Sequence, residues 1–361
     1  MNRQSRNIVD GVLLLDKPAG ITSNDALMRV RRLMNARKAG HGGTLDPMAT
    51  GLLPIALGEA TKFVNDALDA DKTYLAELTF GVTTSTADAE GEVLERAPVA
   101  FDEARLRTVV AGFVGEIDQV PPMHSALKRD GRPLYEYARA GITLERAARR
   151  VTIHAIDLVS LSSDDAVTQA STGGLPAGPA APAGSAAPAP PAAPAAPAAP
   201  GSVRAVLRVR CSKGTYIRTL AEDIGRVLGC GAHLSGLRRE RVGAFGLDDA
   251  VTIERLDAMS APDRAGSLLP ADFMLADLAV VELDEALARR FLQGQRLRLN
   301  GAAASRAACA TGTRVRVYRA GRLLGTAVLE DGLLVPQRLI GTVSEPPPSA
   351  ASSPLQSDLQ P

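Results

Sequence analysis

The chain has 361 residues, of which 45% are hydrophobic, 22% charged and 3% aromatic. This length predicts two domains and a substantial core. The net charge of +1 excludes overall basicity as a means of binding nucleic acid, although arginines outnumber lysines 35 to 6. Two basic clusters could still bind phosphate locally, and a solvated helix face would explain either equally well. They comprise Arg29, Arg31, Arg32, Arg37 and Lys38, and then Arg238, Arg239 and Arg241.

The cysteines argue against a disulfide framework and against a metal site. Cys211, Cys230 and Cys309 are odd in number and widely spaced, without a CxxC pair. The apolar stretch at 12–15 is too short for a signal peptide or a membrane span. These features predict a cytoplasmic protein in a reducing compartment.

Four elements are predicted in the first half of the chain. VLLL at 12–15 is typical of a buried strand, and Asn24–Asn35 has the apolar spacing of a helix capped at one of residues 22–24. The alternation in KTYLAELTFG (72–81) predicts a strand with Tyr74, Ala76, Leu78 and Phe80 on one side. A second helix is expected over 103–114.

Two further strands, at 151–161 and 203–211, flank a segment of unusual composition. Nine of the 24 prolines lie between Pro176 and Pro200, mixed with alanine. Proline at this density disfavours helix and sheet alike, and alanine is too small to build a core. We therefore predict a disordered insertion at about 168–202, carried at the tip of a hairpin formed by the two flanking strands.

The C-terminal third contains a helix followed by short strand-like pieces. The helix is predicted over 219–228 and ends at Gly229. From about residue 277, pieces such as RVRVY and GTAVLE alternate with turns. This pattern predicts a main domain over 1–276, a small β-rich domain over 277–343 and a disordered tail over 344–361.

Residues 41–51 read HGGTLDPMATG and set Asp46 among small residues. The glycines disfavour helix and strand, and Pro47 restricts the residue before it to an extended or turn conformation. An ordinary turn would explain aspartate before proline. Alternatively, the loop presents a carboxylate that another backbone can approach closely. Composition alone leaves both interpretations open.

Four motifs in this order and spacing resemble the TruB family of tRNA pseudouridine-55 synthases. They are DKPAG (16–20), GHGGTLDPMATGLLP (40–54), KTYLAELTFG (72–81) and CSKGTYIRTL (211–220). The resemblance covers roughly residues 10–255 apart from the insertion. It implies an α+β fold with a mixed, largely antiparallel central sheet and a small, β-rich, PUA-like C-terminal domain.

The resemblance also implies a reaction. One uridine in the T-loop of tRNA is flipped out and isomerised, so that its N-glycosidic bond is replaced by a C-glycosidic bond without a cofactor. Glycosidases use two carboxyl groups because water must be activated. An isomerase that reattaches the same base must exclude water, so one carboxylate can suffice. The implied partner is the T-arm of tRNA, bound by a monomer with no obligatory protein partner and no membrane.

Three catalytic residues follow from the resemblance. Asp46 is the carboxylate, and Arg218 is the arginine that pairs with it and lowers its pKa. Arg218 follows Tyr216 by two residues and shares its face if the strand continues. Tyr74 is the tyrosine that lies against the target base and transfers protons. A surface arginine and a core tyrosine are the simpler alternatives. Glu59 is the nearest downstream acid, but the family pattern gives it no role.

Substrate contacts are implied for Tyr74 and for four further residues. Tyr216 contacts the substrate, Leu237 forms an apolar wall, and Lys17 shapes the floor of the site. His41 stacks where the uridine leaves the T-loop. A core leucine and a solvated histidine are the alternatives. At the level of the whole protein, the alternatives are an RNA-binding module without catalysis and a guide-RNA-dependent synthase.

Overall fold

The structure is a computed structural model that describes residues 8–125, 127–163, 203–298 and 311–341. Helices lie at α1 (Ser23–Leu33), α2 (Val64–Asp69), α3 (Glu103–Ala111), α4 (Leu134–Arg139), α5 (Ile217–Leu228), α6 (Ile253–Ala258), α7 (Ala261–Gly266) and α8 (Glu285–Leu292), with 3₁₀ helices at Gly58–Phe63 and Ala271–Leu275. Within these ranges no helix has both the length and the apolar character needed to cross a membrane.

The strands differ widely in length. They are β1 (Gly11–Lys17), β2 (Ala39–His41), β3 (Thr50–Leu57), β4 (Lys72–Phe80), β5 (Val82–Thr84), β6 (Val93–Arg96), β7 (Gly115–Gln119), β8 (Lys128–Arg129), β9 (Arg132–Pro133), β10 (Arg149–Ser163), β11 (Val203–Cys211), β12 (Ala232–Val242), β13 (Ala279–Glu282), β14 (Leu297–Arg298), β15 (Arg314–Arg319), β16 (Arg322–Glu330) and β17 (Leu333–Leu339).

Eight strands form the central sheet. The order is β1-β3-β12-β4-β11-β10-β7, with β2 also paired to β3. The β3–β12 pair is parallel and every other pair of this sheet is antiparallel. The predicted mixed, largely antiparallel sheet is therefore confirmed. Its central strand β4 carries Tyr74, Ala76, Leu78 and Phe80 on the buried side, as the alternation predicts.

The strands on either side of the predicted insertion form a hairpin. β10 and β11 are antiparallel neighbours, and their register ends at Ser163 opposite Val203. β11 in turn pairs with β4 along its whole length. The hairpin prediction is confirmed, while the insertion at 168–202 lies outside the described residues. β10 is longer than predicted, because its pairing continues past Leu161 on the β11 side.

Helices cover the sheet over two separate apolar clusters. One cluster packs α3 and α5 against β4, β10, β11 and β12. The other packs α1 and α6 against β1 and β3. Thr22 caps α1 in a reciprocal capping box with Asp25, which selects among the predicted cap positions. α5 ends at Gly229, whose φ of 80° is readily adopted by glycine.

α5 differs from its prediction at its first residue. The sequence predicts a helix over 219–228 and places Arg218 on the face of Tyr216 only if the preceding strand continues. In the structure Tyr216 is the N-cap of the helix, and Arg218 lies in its first turn. The physical reason is that Tyr216 already has extended backbone angles while its carbonyl accepts from Leu220. Tyrosine carries no side-chain cap signal, so the sequence gives no warning of this start.

A second sheet of five strands lies in the C-terminal part, in the order β13-β15-β16-β17-β14. It has its own apolar cluster. Three polar contacts join it to the segment 58–69. Arg314 pairs with Asp66, Lys62 donates to the Leu339 carbonyl at 2.7 Å, and the Gly341 N–H donates to Glu59 at 2.6 Å. A β-rich C-terminal region is confirmed, and its PUA-like character stays a prediction.

Candidate active site

The loop between β2 and β3 presents Asp46 and is held by hydrogen bonds. The Leu45 N–H donates to the Ser23 hydroxyl oxygen at 2.8 Å, and that hydroxyl donates to the Leu45 carbonyl at 3.0 Å. The Asp46 carbonyl accepts from the Ala49 N–H at 3.1 Å, closing a turn around Pro47. The segment is a turn that also presents its carboxylate to a cleft, so both interpretations of the sequence apply.

Lys17 holds the same loop from inside the protein. Its side chain is fully buried, and its ammonium donates to the carbonyls of Pro18 and Ile21 at 2.8 Å and to that of Pro47 at 3.3 Å. Burial lowers the pKa of Lys17 to about 8, against the opposing attraction of Asp46. The predicted substrate contact by Lys17 is therefore corrected: its ammonium is enclosed by carbonyls and positions the loop.

Arg218 joins two carboxylates. From the first turn of α5 its Nε lies 3.1 Å from Asp46 Oδ2, and its Nη2 donates to Asp46 Oδ1 at 3.3 Å. Its Nη1 donates to Asp88 Oδ2 at 3.1 Å. Nη2 also donates to the His124 carbonyl at 2.6 Å. The predicted pairing of Arg218 with Asp46 is present, and the guanidinium is 5% exposed, which argues against a surface arginine.

Asp88 is the carboxylate that sequence reasoning missed. It is 3% exposed, accepts from the Thr86 hydroxyl and from the Glu90 N–H, and holds the far side of the Arg218 guanidinium. Asp88 lies in a polar stretch without periodicity, and 130 positions separate it from Arg218. No local pattern could have distinguished it from a surface aspartate.

Glu59 lies outside this arrangement. Its carboxylate pairs with Lys62 at 2.6 Å and accepts from the Gly341 N–H. Glu59 therefore serves the contact with the second sheet. Asp88 and Glu90 are the carboxylates whose charges interact with that of Asp46.

Burial determines the ionisation of Asp46. It raises the pKa of the Asp46 carboxyl above its ordinary value of 3.8, Arg218 lowers it, and the negative charge of Asp88 raises it again. Arg218 thus lowers the Asp46 pKa as expected, but burial outweighs it and the net direction is upward. The physical reason is that the cleft walls remove more hydration from Asp46 than the arginine shared with Asp88 compensates.

Tyr74 lies opposite the loop on β4 and is 9% exposed. Burial raises the pKa of its hydroxyl, while the positive charge of Arg239 lowers it. Arg239 sits on β12 directly across from Tyr74 and is 1% exposed. The second basic cluster is therefore on a strand, and the helix-face interpretation is wrong for it.

Residues of the Asp46 loop, β4, β12 and α5 line a cleft of about 340 Å³. Among the predicted site residues, Asp46, Tyr74, Tyr216, Arg218 and Leu237 all line it. Tyr216 is held there by a reciprocal pair with Gln119, whose amide accepts from the Tyr216 N–H at 3.0 Å and donates to its carbonyl at 3.3 Å. The residues that line the cleft, within the described part of the chain, include one carboxylate, that of Asp46.

His41 lies outside the cleft lining, on β2 opposite Ile55. Its side chain is half-buried, and its Nδ1 is buried without a hydrogen-bond partner among the described residues. Burial lowers the pKa of His41, and Arg239 lowers it further. Both causes favour the neutral ring, and the half-buried side chain with its buried Nδ1 differs from a simply solvated histidine.

The chain matches three family models. Residues 31–173 match the N-terminal domain of TruB family pseudouridylate synthases, residues 218–287 the C-terminal domain of tRNA pseudouridylate synthase B, and residues 279–340 the C-terminal region of pseudouridine synthase II TruB.

Curated relatives cover nearly the whole chain. A protein of Burkholderia mallei (strain ATCC 23344) named tRNA pseudouridine synthase B is 53% identical over 94% of this chain and 97% of its own length. The protein of that name from Ralstonia nicotianae is 53% identical over 94% of this chain and 96% of its own.

A solved Cbf5-Nop10-Gar1 complex contains a chain of similar fold. Its TM-score is 0.61 at 24% identity, over 92% of this chain and 85% of that one. This likeness shows the fold. The family models and the relatives show that the chain belongs to the TruB family of pseudouridine synthases, isomerases that convert uridine to pseudouridine.

Proposed function

We propose that this chain isomerises the T-loop uridine at position 55 of tRNA, with Asp46 as the catalytic carboxylate. The relatives named tRNA pseudouridine synthase B support the substrate class. The observation that carries the chemistry is the single carboxylate of the cleft, held by the Arg218 fork and facing a wall that contains Tyr74. The protein acts on the T-arm as a monomer in the cytoplasm.

One carboxylate favours isomerisation over hydrolysis. Hydrolysis of a glycosidic bond requires a second carboxyl group to activate water or to protonate the leaving group. Asp88 is enclosed and directed at Arg218, so it cannot serve as that group. Glu90, whose charge also interacts with Asp46, is exposed and does not line the cleft. Without a second carboxylate in the cleft to activate water, the detached base stays there and can rejoin the sugar through carbon 5.

The Arg218 fork prepares Asp46 for work at the sugar. Charge-assisted bonds at 3.1 and 3.3 Å orient both carboxylate oxygens and favour the ionised form. An ionised carboxylate can stabilise positive charge that develops at the sugar carbon, or attack that carbon. Both routes need the same preorganised anion.

Asp46→Asn tests the proposal most directly. We expect pseudouridine formation to be abolished while tRNA binding stays within about tenfold, because binding and chemistry draw on different contacts. The measurement is single-turnover conversion of unmodified tRNA by the purified chain alone, with Asp257→Asn on the exposed face of α6 as control. Near-wild-type conversion by Asp46→Asn would contradict the role of Asp46. No conversion by the unaltered chain alone would favour an RNA-binding module or a guide-RNA-dependent enzyme.

We further propose that His41 fills the stack vacated by the flipped uridine. Flipping costs a few kcal/mol, and stacking on a flat side chain returns about 1–3 kcal/mol. The neutral, half-buried ring of His41 supports this use. We expect His41→Ala to slow conversion of structured tRNA more than that of a short T-loop RNA whose uridine is already loose. Single-turnover rates on both RNAs decide, and an equal loss on the two would rule out the flipping role.

A further inference from the structure

Arg239 is a buried cation whose bonds go to uncharged groups. Its Nε donates to the Leu52 carbonyl at 2.7 Å and its Nη2 to the Gly43 carbonyl at 3.1 Å. Among the described residues, no carboxylate forms an ion pair with it. An enclosed charge without an opposite charge is costly. Its position at the cleft indicates that positive charge is needed there.

The backbone around Arg239 is built to admit its guanidinium. A Cβ on Gly43, whose φ is +125°, would meet Arg239 Nη1 at 3.2 Å. Gly51 admits the Arg239 backbone instead, because a Cβ there would lie 2.3 Å from the Arg239 carbonyl oxygen and prevent β3 from pairing with β12. Both glycines belong to the segment that presents Asp46. The arginine is therefore fixed between the Asp46 loop and Tyr74 rather than free to turn toward solvent.

Two other buried cations line the cleft, and both are already used. Arg218 holds Asp46 and Asp88. The Lys72 ammonium donates to the carbonyls of Ala67, Leu68 and Ala70 at 3.1, 2.6 and 2.5 Å, which occupies all three of its protons. Arg239 uses only its Nε and Nη2 for its two carbonyl bonds, and it lies across from Tyr74 on the neighbouring strand.

Arg239 on β12 and Tyr74 on β4 are register partners, and both line the cleft, so the guanidinium charge acts on Tyr74 from the neighbouring strand. Three groups influence the charge on Tyr74 besides its burial: Arg239 from β12, Cys211 from β11 and Asp46 from the loop. Cys211 and Asp46 both raise the pKa of Tyr74, and Arg239 opposes them. Arg239 is thus the neighbour that favours a phenolate.

We propose that Arg239 is a positioning residue that stabilises the Tyr74 phenolate while the base is exchanged. This rests on the proposed function. When the N1–C1′ bond breaks, its electron pair stays on N1, and Tyr74 gives its proton to that nitrogen. After the C5–C1′ bond forms, the phenolate takes the proton from C5. One proton leaves C5 and one arrives at N1, so Tyr74 ends as it began.

The first test is a titration that needs no activity. The absorbance of tyrosinate is followed with pH in the unaltered chain, in Arg239→Gln and in Arg239→Lys. The same titration is recorded for each of the three with Tyr74→Phe added, and the difference between the two curves is the titration of Tyr74. We expect the Tyr74 pKa to rise in Arg239→Gln, because the charged donor is gone, and to rise less in Arg239→Lys, which keeps a cation. Arg241→Gln, exposed on the same strand, serves as the matched control and should leave the Tyr74 pKa unchanged. An unchanged Tyr74 pKa in Arg239→Gln would overturn the proposal.

The second test joins the phenolate to the rate. Removing a donor that faces developing negative charge costs about 100-fold in rate, so we expect a loss of that order for Arg239→Gln and a smaller one for Arg239→Lys. A ring-fluorinated tyrosine at position 74, which ionises more readily, should recover part of the rate lost in each variant. A purely structural role for Arg239 predicts no recovery and would overturn the proposal.

Both tests remain decisive if Arg239→Gln does not fold, as judged by circular dichroism. Both measurements are then made on Arg239→Lys. This variant must show a raised Tyr74 pKa and a rate that the fluorinated tyrosine partly restores. The absence of either result overturns the proposal. If the unaltered chain fails to convert tRNA, the proposed function fails, and the titration still reports whether Arg239 controls Tyr74.

Discussion

Two buried arginines enter the cleft from different elements and are compensated in opposite ways. Arg218 comes from the first turn of α5 and holds two carboxylates, Asp46 and Asp88. Arg239 comes from β12 and holds two backbone carbonyls, with Tyr74 as its register partner on β4. On the Arg218 side of the cleft the cation already faces carboxylates before substrate arrives, whereas the Arg239 side has positive charge without a paired acid.

The difference separates two tasks within one reaction. At the Arg218 side, the anion that the reaction needs is already present and only has to be oriented. At the Arg239 side, negative charge develops only after the glycosidic bond breaks, so a cation without an acid is suited to it. Preorganised charge of this kind avoids reorganisation during the chemical step.

The largest effect on stability is expected for Arg218→Gln. The substitution leaves Asp88 enclosed without its cation, and breaking a buried pair in this way costs about 3–5 kcal/mol in the free energy of unfolding. Urea denaturation measures it. Arg226→Gln, on the exposed side of the same helix, should change this free energy by less than about 0.5 kcal/mol. A cost for Arg218→Gln as small as that of the control would show that Asp88 is neutral or hydrated in the folded protein.

Arg239→Gln should destabilise less, by about 1–3 kcal/mol, because it leaves two buried carbonyls without their donor but no unpaired anion. The same urea denaturation measures it, so that the two arginines are compared directly. Equal costs for both would contradict the contrast drawn here. It would mean that the arginines are held mainly by packing and not by the charge of their partners.

The smallest expected effect is a shift in pH dependence on Asp88→Asn. The Asp46 pKa is raised, so activity is lost as pH falls through a value above that of an ordinary aspartate. The Asp88 charge contributes to this rise. Removing it leaves Arg218 to Asp46 alone and should move the acid limb of kcat/KM to lower pH, alongside any loss in rate. Asp257→Asn is the control, and a limb that stays in place or moves upward would contradict the coupling.

Local patterns were sufficient to predict most of the fold, whereas the site residues were predicted from the family resemblance. The alternation in β4 and the hydrophobic spacing in α1 arise from burial of one face, which the sequence records directly. The resemblance named five site residues that the structure places in one cleft: Asp46, Tyr74, Tyr216, Arg218 and Leu237.

The remaining features depend on contacts between distant parts of the chain. Arg239 is buried because β3 and β4 pair with β12 on either side. In the sequence it is one of a run of basic residues, and nothing distinguishes it from Arg238 and Arg241. The partnership of Asp88 with Arg218 likewise follows from the packing of α5. The net direction of the Asp46 pKa required the burial of the loop, which composition does not reveal.

The end of the β10–β11 hairpin has a consequence for protein engineering. Because Ser163 and Val203 face each other as register partners, whatever chain joins them leaves and returns at one place. Loop length there carries only a weak entropic cost, about 0.6 kcal/mol per doubling. β11 is anchored independently by nine register pairs with β4, the strand that carries Tyr74. A fluorescent domain or an affinity module could therefore replace the natural connection, or new chain termini could be opened there, and the cleft would keep its catalytic geometry.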